Sequence, residues 1–356
     1  MSSEVRYGII GTGMMGMEHL YNVAHMDGAA VKAVSDPNED CRETARKVAN
    51  LAPASVFADH RDLLASGLCD AVVIASPNHT HVGILGDALV SGLHVMAEKP
   101  LATTVADCAQ VVEAARTHRG VAWMALEYRY MAPIARLLEE VQGGTAGRVH
   151  MVAIREHRFP FLSKIDNWNR FTANTGGTLV EKCCHFFDLM NLIVADEPVR
   201  VLASGAQDVN HLDERYEQGV PDMLDNAYVI VEYAGGARAS LDLCMFAEGS
   251  RNEQELVVVG DAAKLEAWVP ESRLRIGRRS DGSIHDEVVP LRGVRYEGLH
   301  HGASYLEHVD FVDAIRTGAP AKVTLEDGML AVAVAVAAHR SIDERRVVEL
   351  AEVMPG

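Results

Sequence analysis

Val5-Arg-Tyr-Gly-Ile-Ile-Gly-Thr-Gly-Met-Met-Gly16 decides how the rest of the chain is read. Val5–Ile10 is an apolar run of strand length, and a helical pattern follows from about Met17 to His25. Between them, Gly11-Thr-Gly13-Met-Met-Gly16 fits G-x-G-x-x-G. Such a match is common by chance; a strand before it and a helix after it give it meaning. Gly11 permits the tight turn, Gly13 lets the main chain approach a pyrophosphate, and Gly16 lets helix and strand pack closely. The helix N-terminus then offers N–H groups and a positive dipole end to phosphates. Gly11, Gly13, Met14, Met15 and Gly16 are the expected cofactor loop.

A second strand, Val31–Ser35, ends at Asp36, about twenty residues beyond Gly16. A carboxylate there accepts hydrogen bonds from the adenosine ribose and repels a 2′-phosphate, so NAD is favoured over NADP. Arg42, close in sequence, keeps NADP as a lesser possibility. Strand and helix patterns then alternate. Strands are expected at Ser55–Phe57, Cys69–Ala75, Leu93–Ala97 and Val121–Leu126, with helices between them. This order implies a parallel, doubly wound sheet, whose ligands lie beyond the carboxyl ends of its strands. Ser76, Pro77, Asn78 and His81 follow one such end, and Glu98-Lys99-Pro100 another. These residues join the expected cofactor contacts, and Lys99 can face the nicotinamide end.

The pattern changes after about residue 126. A helix is expected over Tyr128–Val141 and a strand over Val149–Arg155. Long antiparallel-looking strands follow, with a hairpin at Gly235-Gly236 and two closing helices. The expected fold is α/β: a Rossmann domain, 1–126, and a second α/β domain, 127–356, with a large, mainly antiparallel open sheet. Within the second domain, Gly176–Asp196 is apolar nearly all round and reads as one buried helix. At about 100° per residue, Glu181, His185 and Asp188 fall within roughly 60° of one another on it. Buried ionisable groups are costly unless partnered. His185, with an ordinary pKa of about 6.5, is the natural proton acceptor. Glu181, one turn earlier, is its expected orienting partner. Asp188 reads as structural, and Lys182 stays open between a substrate contact and a salt-bridge partner.

Composition narrows the function. With Lys+Arg 33 against Asp+Glu 50, the chain carries a formal charge of −17, which argues against general nucleic-acid or anionic-membrane binding. The longest apolar run, near Met329–Ala338, is too short to cross a bilayer. No export signal is legible, so a cytoplasmic location with reduced thiols is expected. The six cysteines form no CxxC pair, and no metal site is expected.

GTGMMG after the first strand, Ser76-Pro77 with His81, Glu98-Lys99-Pro100, and Gly176-Gly177 followed by Glu181 and His185 together resemble the glucose–fructose oxidoreductase/inositol dehydrogenase (Gfo/Idh/MocA) family. The resemblance covers nearly the whole chain. It implies NAD-dependent oxidation of a secondary hydroxyl of a cyclitol or sugar, and a C-terminal sheet that makes homodimer or homotetramer contacts. The family's catalytic Lys matches Lys99 and its His matches His185. Its Asp, four residues before that His, is Glu181 here. The stretch from Trp168 to Asp188 resembles a subgroup that includes scyllo-inositol dehydrogenases. In that light Glu127, Arg129, Arg158, Trp168, Asn169 and His301 become candidates for a polyol pocket, beside Lys99, Glu181 and His185 and the still-open Lys182. The alternatives are an NAD-dependent glycoside hydrolase that oxidises its sugar transiently, and a non-catalytic dinucleotide sensor.

Overall fold

Apolar runs too short for helices and buried on both faces become the strands of a parallel sheet. The computed structural model describes residues 4–355, so residues 1–3 and 356 of the expected domains lie outside the described residues. The order is β1 (Val5–Ile10), α1 (Met14–Ala24), β2 (Ala29–Ser35), α2 (Glu39–Val48), β3 (Val56–Phe57), α3 (His60–Ala65), β4 (Ala71–Ile74), α4 (His81–Ser91), β5 (His94–Glu98), α5 (Val105–Ala115) and β6 (Ala122–Ala125). There follow α6 (Ala132–Gln142), β7 (Val149–His157), α7 (Thr172–Thr175), α8 (Thr178–Glu181), α9 (Cys184–Val194), β8 (Pro198–Ala206), β9 (Asn226–Tyr233) and β10 (Arg238–Cys244). The chain closes with β11 (Gln254–Gly260), β12 (Ala263–Val269), β13 (Arg273–Arg278), β14 (Ile284–Val288), α10 (Ala303–Thr317), α11 (Leu325–Glu344) and β15 (Val348–Glu349). Among the described residues no helix is long and apolar enough to cross a membrane.

The chain forms two compact units that are not contiguous in sequence. One comprises the chain up to Glu127 together with Lys164–Trp168 and Gly293–Met329. The other comprises Tyr128–Ser163, Asn169–Arg292 and the chain from Leu330 onward. The first unit holds a six-stranded sheet in the order β3-β2-β1-β4-β5-β6, parallel throughout. Strand order reverses between β1 and β4, which is where a doubly wound sheet binds its ligand. Caps fix the helix starts: Asn38 accepts from Cys41 N–H before α2, and Thr104 from Asp107 N–H before α5. α10 packs on α1 in this unit because its apolar face is needed there. Phe311 meets Tyr7 and Trp123 edge to face, and all three are buried.

The second unit is built on a nine-stranded sheet, β14-β13-β12-β11-β7-β10-β9-β8-β15. Only β7 and β10 pair in parallel; all its other neighbours are antiparallel. The expected β9–β10 hairpin turns at Gly236, with φ of +89°. Period-2 alternation along β7 and β9 separates a buried face, which meets α9, from an exposed one. The exposed face carries Met151, Leu202, Tyr228 and Ile230, with Tyr228 68% exposed.

Gly176–Asp196 departs from expectation. It is not one helix: α8 stops at Glu181, Lys182 and Cys183 form a turn, and α9 begins at Cys184. Lys182 has φ −102° and ψ −43°, and Cys183 has φ −89° and ψ −3°. No Gly or Pro marks this break, so an all-round apolar pattern could not disclose it. Glu181 and His185 therefore sit on separate helices rather than on one continuous stripe.

Candidate active site

In the first unit the site groups follow the carboxyl ends of the strands. After β1 the chain turns at Gly11, with φ of +84°; a Cβ there would lie 2.6 Å from Ser76 N. At Gly16 a Cβ would lie 1.9 Å from the Gly11 carbonyl oxygen, whereas at Gly13 nothing lies within 4 Å. Gly11 and Gly16 are thus required by the turn itself, and Gly13 leaves an open face. Gly13 precedes α1 without a side-chain cap, and no acidic residue occupies the first turn. The N–H groups and dipole of that turn suit a phosphate. Met14 is exposed and Met15 half-buried beside it.

Asp36 is buried at the end of β2. Its Oδ2 accepts from Thr12 N (2.7 Å) and Thr12 Oγ1 (3.2 Å), and its Oδ1 accepts from Asn38 N (2.8 Å). These bonds hold the carboxylate beside the glycine turn, with lone-pair capacity remaining for ribose hydroxyls. Arg42 Nη1 donates to the carbonyls of Asp36 (3.2 Å) and Pro37 (2.8 Å). The open Gly13 face, the uncapped helix and the buried carboxylate fit a dinucleotide with a plain ribose.

After β4, Ser76 Oγ accepts from Thr80 Oγ1 at 2.7 Å, which shapes the Ser76-Pro77-Asn78 turn; Asn78 is buried. His81 lies with Nε2 3.0 Å from Ser76 O and Nδ1 2.8 Å from Pro100 O. It ties the loop after β4 to the loop after β5. At the end of β5, Glu98 Oε2 accepts from Lys99 N at 3.0 Å, and Oε1 accepts from His19 Nε2 at 2.9 Å. His19 Nδ1 is 2.9 Å from His308 Nε2. Burial opposes ionisation of Glu98, but the His19 hydrogen bond and the influence of His19, Lys99 and His300 outweigh it, bringing its pKa down to about 2. Burial pushes His308 well below the usual histidine range. Burial and the nearby Glu127 push Glu307 well above the carboxylate range, while Trp123 Nε1 donates to it at 3.2 Å. Lys99 therefore leaves β5 on a main chain pinned by a buried carboxylate.

The remaining candidates of this unit are spread more widely. Asp166 and Asn167 both adopt left-handed backbone (φ 54° and 50°) and bring Trp168 against the loop after β4. His79 meets the Trp168 ring edge-on with centroids 6.3 Å apart, and Lys164 Nζ lies 4.4 Å from its centroid. Glu127 is buried 3.6 Å from His300 Nε2, and His301 is exposed with φ 53°.

In the second unit Glu181, Lys182, His185 and Asp188 are all buried. The structural reading of Asp188 holds: its carboxylate takes Arg129 Nε at 2.7 Å and Nη2 in a shorter contact. That bidentate pairing joins the segment before α6 to α9. Lys182 Nζ donates to Tyr128 Oη at 2.5 Å and lies 3.0 Å from Glu156 Oε1. Glu156 also accepts from Gln254 Nε2 at 2.8 Å and lies 3.5 Å from Arg158 Nη1. The Tyr128 ring stacks on the His185 imidazole, with centroids 4.1 Å apart and planes 7° from parallel. Asn169 Nδ2 donates to Leu162 O at 2.9 Å, and Arg158 lies over the Phe159 ring.

His339 of α11 supports this group from behind. The α8 helix has no side-chain cap of its own, and Leu179 N donates to His339 Nε2 at 3.1 Å. His339 thus accepts one of the N–H groups that a helix start leaves over. Burial brings its pKa down to about 4, against a smaller opposing effect of Asp343. Between pH 6.5 and 4 the unfolded chain binds a proton at this position and the folded chain does not. Stability is full above that window and falls as pH drops through it, by up to about 3 kcal/mol. His339→Gln is expected to remove this part of the decline; urea unfolding from pH 7 to 4 measures it. An unchanged slope would refute the assignment.

Comparison with known proteins agrees with both halves. Residues 5–126 match the model of the Gfo/Idh/MocA oxidoreductase family's NAD-binding Rossmann fold, and residues 139–350 match its C-terminal α/β domain. The chain belongs to the Gfo/Idh/MocA oxidoreductase family. It is 28% identical to a myo-inositol 2-dehydrogenase of Thermotoga maritima, across 98% of this chain and 100% of that protein. It is 27% identical to inositol 2-dehydrogenase 1 of Saccharopolyspora erythraea, across 97% and 96% of the two chains. The fold also matches a levoglucosan dehydrogenase solved with NADH, at a TM-score of 0.87 and 21% identity, covering 98% and 99% of the two chains. This family member is an NAD-dependent oxidoreductase.

Several residues beside the family motifs were not singled out by sequence. Tyr128 lay between two candidates, Glu127 and Arg129, but its stack on His185 joins residues far apart in the chain. Glu156 left a fainter trace: it occupies the inward position that follows Val152 and Ile154 on β7. A carboxylate in that alternation is out of pattern. His19, Glu307, His308 and His339 gave no local signal, because each gains its partner only through folding.

Proposed function

We propose that this protein oxidises a secondary hydroxyl of a cyclitol or sugar to the ketone, reversibly. The observation that carries the proposal is a buried imidazole, His185, held against an aromatic face in a chain whose other unit has a dinucleotide loop and a strand-end lysine. Inositol 2-dehydrogenases among the full-length relatives support the substrate class. Bound NAD⁺ supplies the hydride-accepting chemistry. His185 accepts the hydroxyl proton. The Lys99 ammonium stabilises the negative charge that develops on the same oxygen. Glu181 orients one or both, its extra methylene giving the carboxylate a longer reach than an Asp. Lys99, Glu127, Arg158, Trp168, Asn169, Glu181, His185 and His301 are the proposed polyol contacts, while Arg129 is held by Asp188.

The test is a screen of NAD⁺ reduction against inositol isomers, aldoses, their phosphates and aryl glycosides. NADH formation with one or more unsubstituted cyclitols or sugars is the expected result. NAD binding without turnover across the panel overturns the reading, as does release of an aglycone without net NADH.

A homodimer or homotetramer is proposed through the exposed sheet face, where Tyr228 and Ile230 stand beside Leu202 and Ser204 of β8 in the strand register. Exposed apolar groups clustered in this way favour association. Tyr228→Glu is expected to lower the sedimentation coefficient toward that of a monomer. A wild-type chain that sediments as a monomer counts against the proposal.

A further inference from the structure

Lys182 and Glu156 form an ion pair whose side chains are 8% and 0% exposed. Such a pair is weak as a stabiliser, because desolvation offsets most of the attraction and apolar residues of similar volume serve packing as well. Its position gives it another use. Lys182 occupies the turn between α8 and α9, directly after Glu181 and three residues before His185. Its Nζ is 2.5 Å from the phenol oxygen of Tyr128 and 4.8 Å from the ring centroid. The contact is a charge-assisted hydrogen bond to the phenol oxygen, made by an ammonium that also lies within cation–π reach of the same ring. An ammonium has only protons to give, so the phenol oxygen accepts. The Tyr128 ring is also held by Phe186, edge to face at 5.7 Å, and its plane lies 7° from that of His185.

We propose that Tyr128 and Lys182 are positioning residues for His185: Lys182, anchored on Glu156, fixes the Tyr128 phenol, and the Tyr128 ring fixes the plane of the imidazole. The inference rests on the proton-acceptor role given to His185 above. An imidazole that turns about its Cβ–Cγ bond presents carbon where nitrogen is needed. A parallel ring 4.1 Å away blocks that rotation. Correct orientation of a reacting group contributes several kcal/mol to catalysis. Lys182 then acts through Tyr128 rather than on substrate, which decides between the two roles its sequence left open. Glu156, Gln254 and Arg158 form the base on which the ammonium is set.

Three sets of variants test this with the full chain and the best polyol of the screen. Tyr128→Phe keeps the stack and removes the anchoring oxygen. Lys182→Met combined with Glu156→Gln removes the ammonium without stranding a buried carboxylate. Each is also made with His185→Ala. Tyr128→Phe and the double variant are expected to lower kcat about 5–50-fold while KM stays within about threefold. With His185→Ala already present, the same changes should alter the residual rate less than about twofold, since no imidazole remains to be positioned. A tenfold rise in KM at unchanged kcat would show direct substrate contact and overturn the proposal. So would an equal loss of rate with and without His185. Ring-nitrogen NMR of ¹⁵N-histidine-labelled protein, with His185→Ala giving the assignment, provides a readout independent of turnover. Tyr128→Phe should broaden the His185 signal, and an unchanged line overturns the inference even if no polyol is oxidised. A wild-type chain inactive toward every polyol, with the NMR effect present, removes the functional reading but not the positioning contact.

Discussion

His185→Ala is expected to lower kcat for NAD⁺-dependent polyol oxidation by about 10²–10⁴-fold, with NAD binding unchanged. The hydroxyl proton must leave as the carbon gives up its hydride, and His185 is the group proposed to take it. Water is a poor substitute at a position whose imidazole is 2% exposed. Lys99→Met acts on the other side of the same step. It removes the charge proposed to stabilise the developing alkoxide, and a loss of about 10²–10³-fold is expected. Glu98 and His19 remain to hold the β5 end in that variant, so the fold should survive. Steady-state rates together with NADH fluorescence titration separate chemistry from cofactor affinity. Activity within tenfold of wild type in either variant would mean that the assigned role is wrong.

Gly16→Ala is the second large effect expected, and its contrast with Gly13→Ala makes it informative. At Gly16 the added Cβ would come within 1.9 Å of the Gly11 carbonyl oxygen, a main-chain atom that no side-chain rotation can move. Either α1 shifts away from β1 or the turn opens, and both disturb the phosphate-binding geometry. A loss of about 1–3 kcal/mol in stability is expected. NAD affinity should fall by about 100-fold or more, equivalent to about 2.7 kcal/mol. At Gly13 the same methyl meets nothing within 4 Å, so the fold should tolerate it. Only the approach of a phosphate to the main chain is obstructed there. Urea unfolding should therefore distinguish the two variants, whereas NADH titration should show weakened binding in both. Gly16→Ala with wild-type stability and affinity would remove the steric argument.

The first half of the chain was legible because its signals are local. A strand, a glycine turn and a helix lie within about twenty residues, and Asp36, Ser76 and Lys99 each follow an apolar run. The alternation of strand and helix then dictates that such run ends collect at one edge of a parallel sheet. His185, Asp188 and Lys182 were legible as buried polar residues in an apolar stretch, which is costly without partners. The break between Glu181 and Cys184 was not, since no Gly or Pro stands there. Lys182 sits in that turn, with its ammonium on Tyr128 and Glu156.

Sequence alone determined the fold class, the glycine turn between strand and helix, the carboxylate at the end of the second strand, and the residue types available for proton transfer. These rest on periodicity and on short-range spacing, which survive without knowledge of tertiary contacts. Tertiary structure decided which partner each buried polar residue meets. Asp188 clasps Arg129 across 59 residues, Lys182 reaches Tyr128 across 54, and His339 accepts from Leu179 across 160. Partners so distant are unrelated by any local pattern. Burial makes each such group costly until folding brings its partner to it, so its role is fixed only when the chain has closed around it.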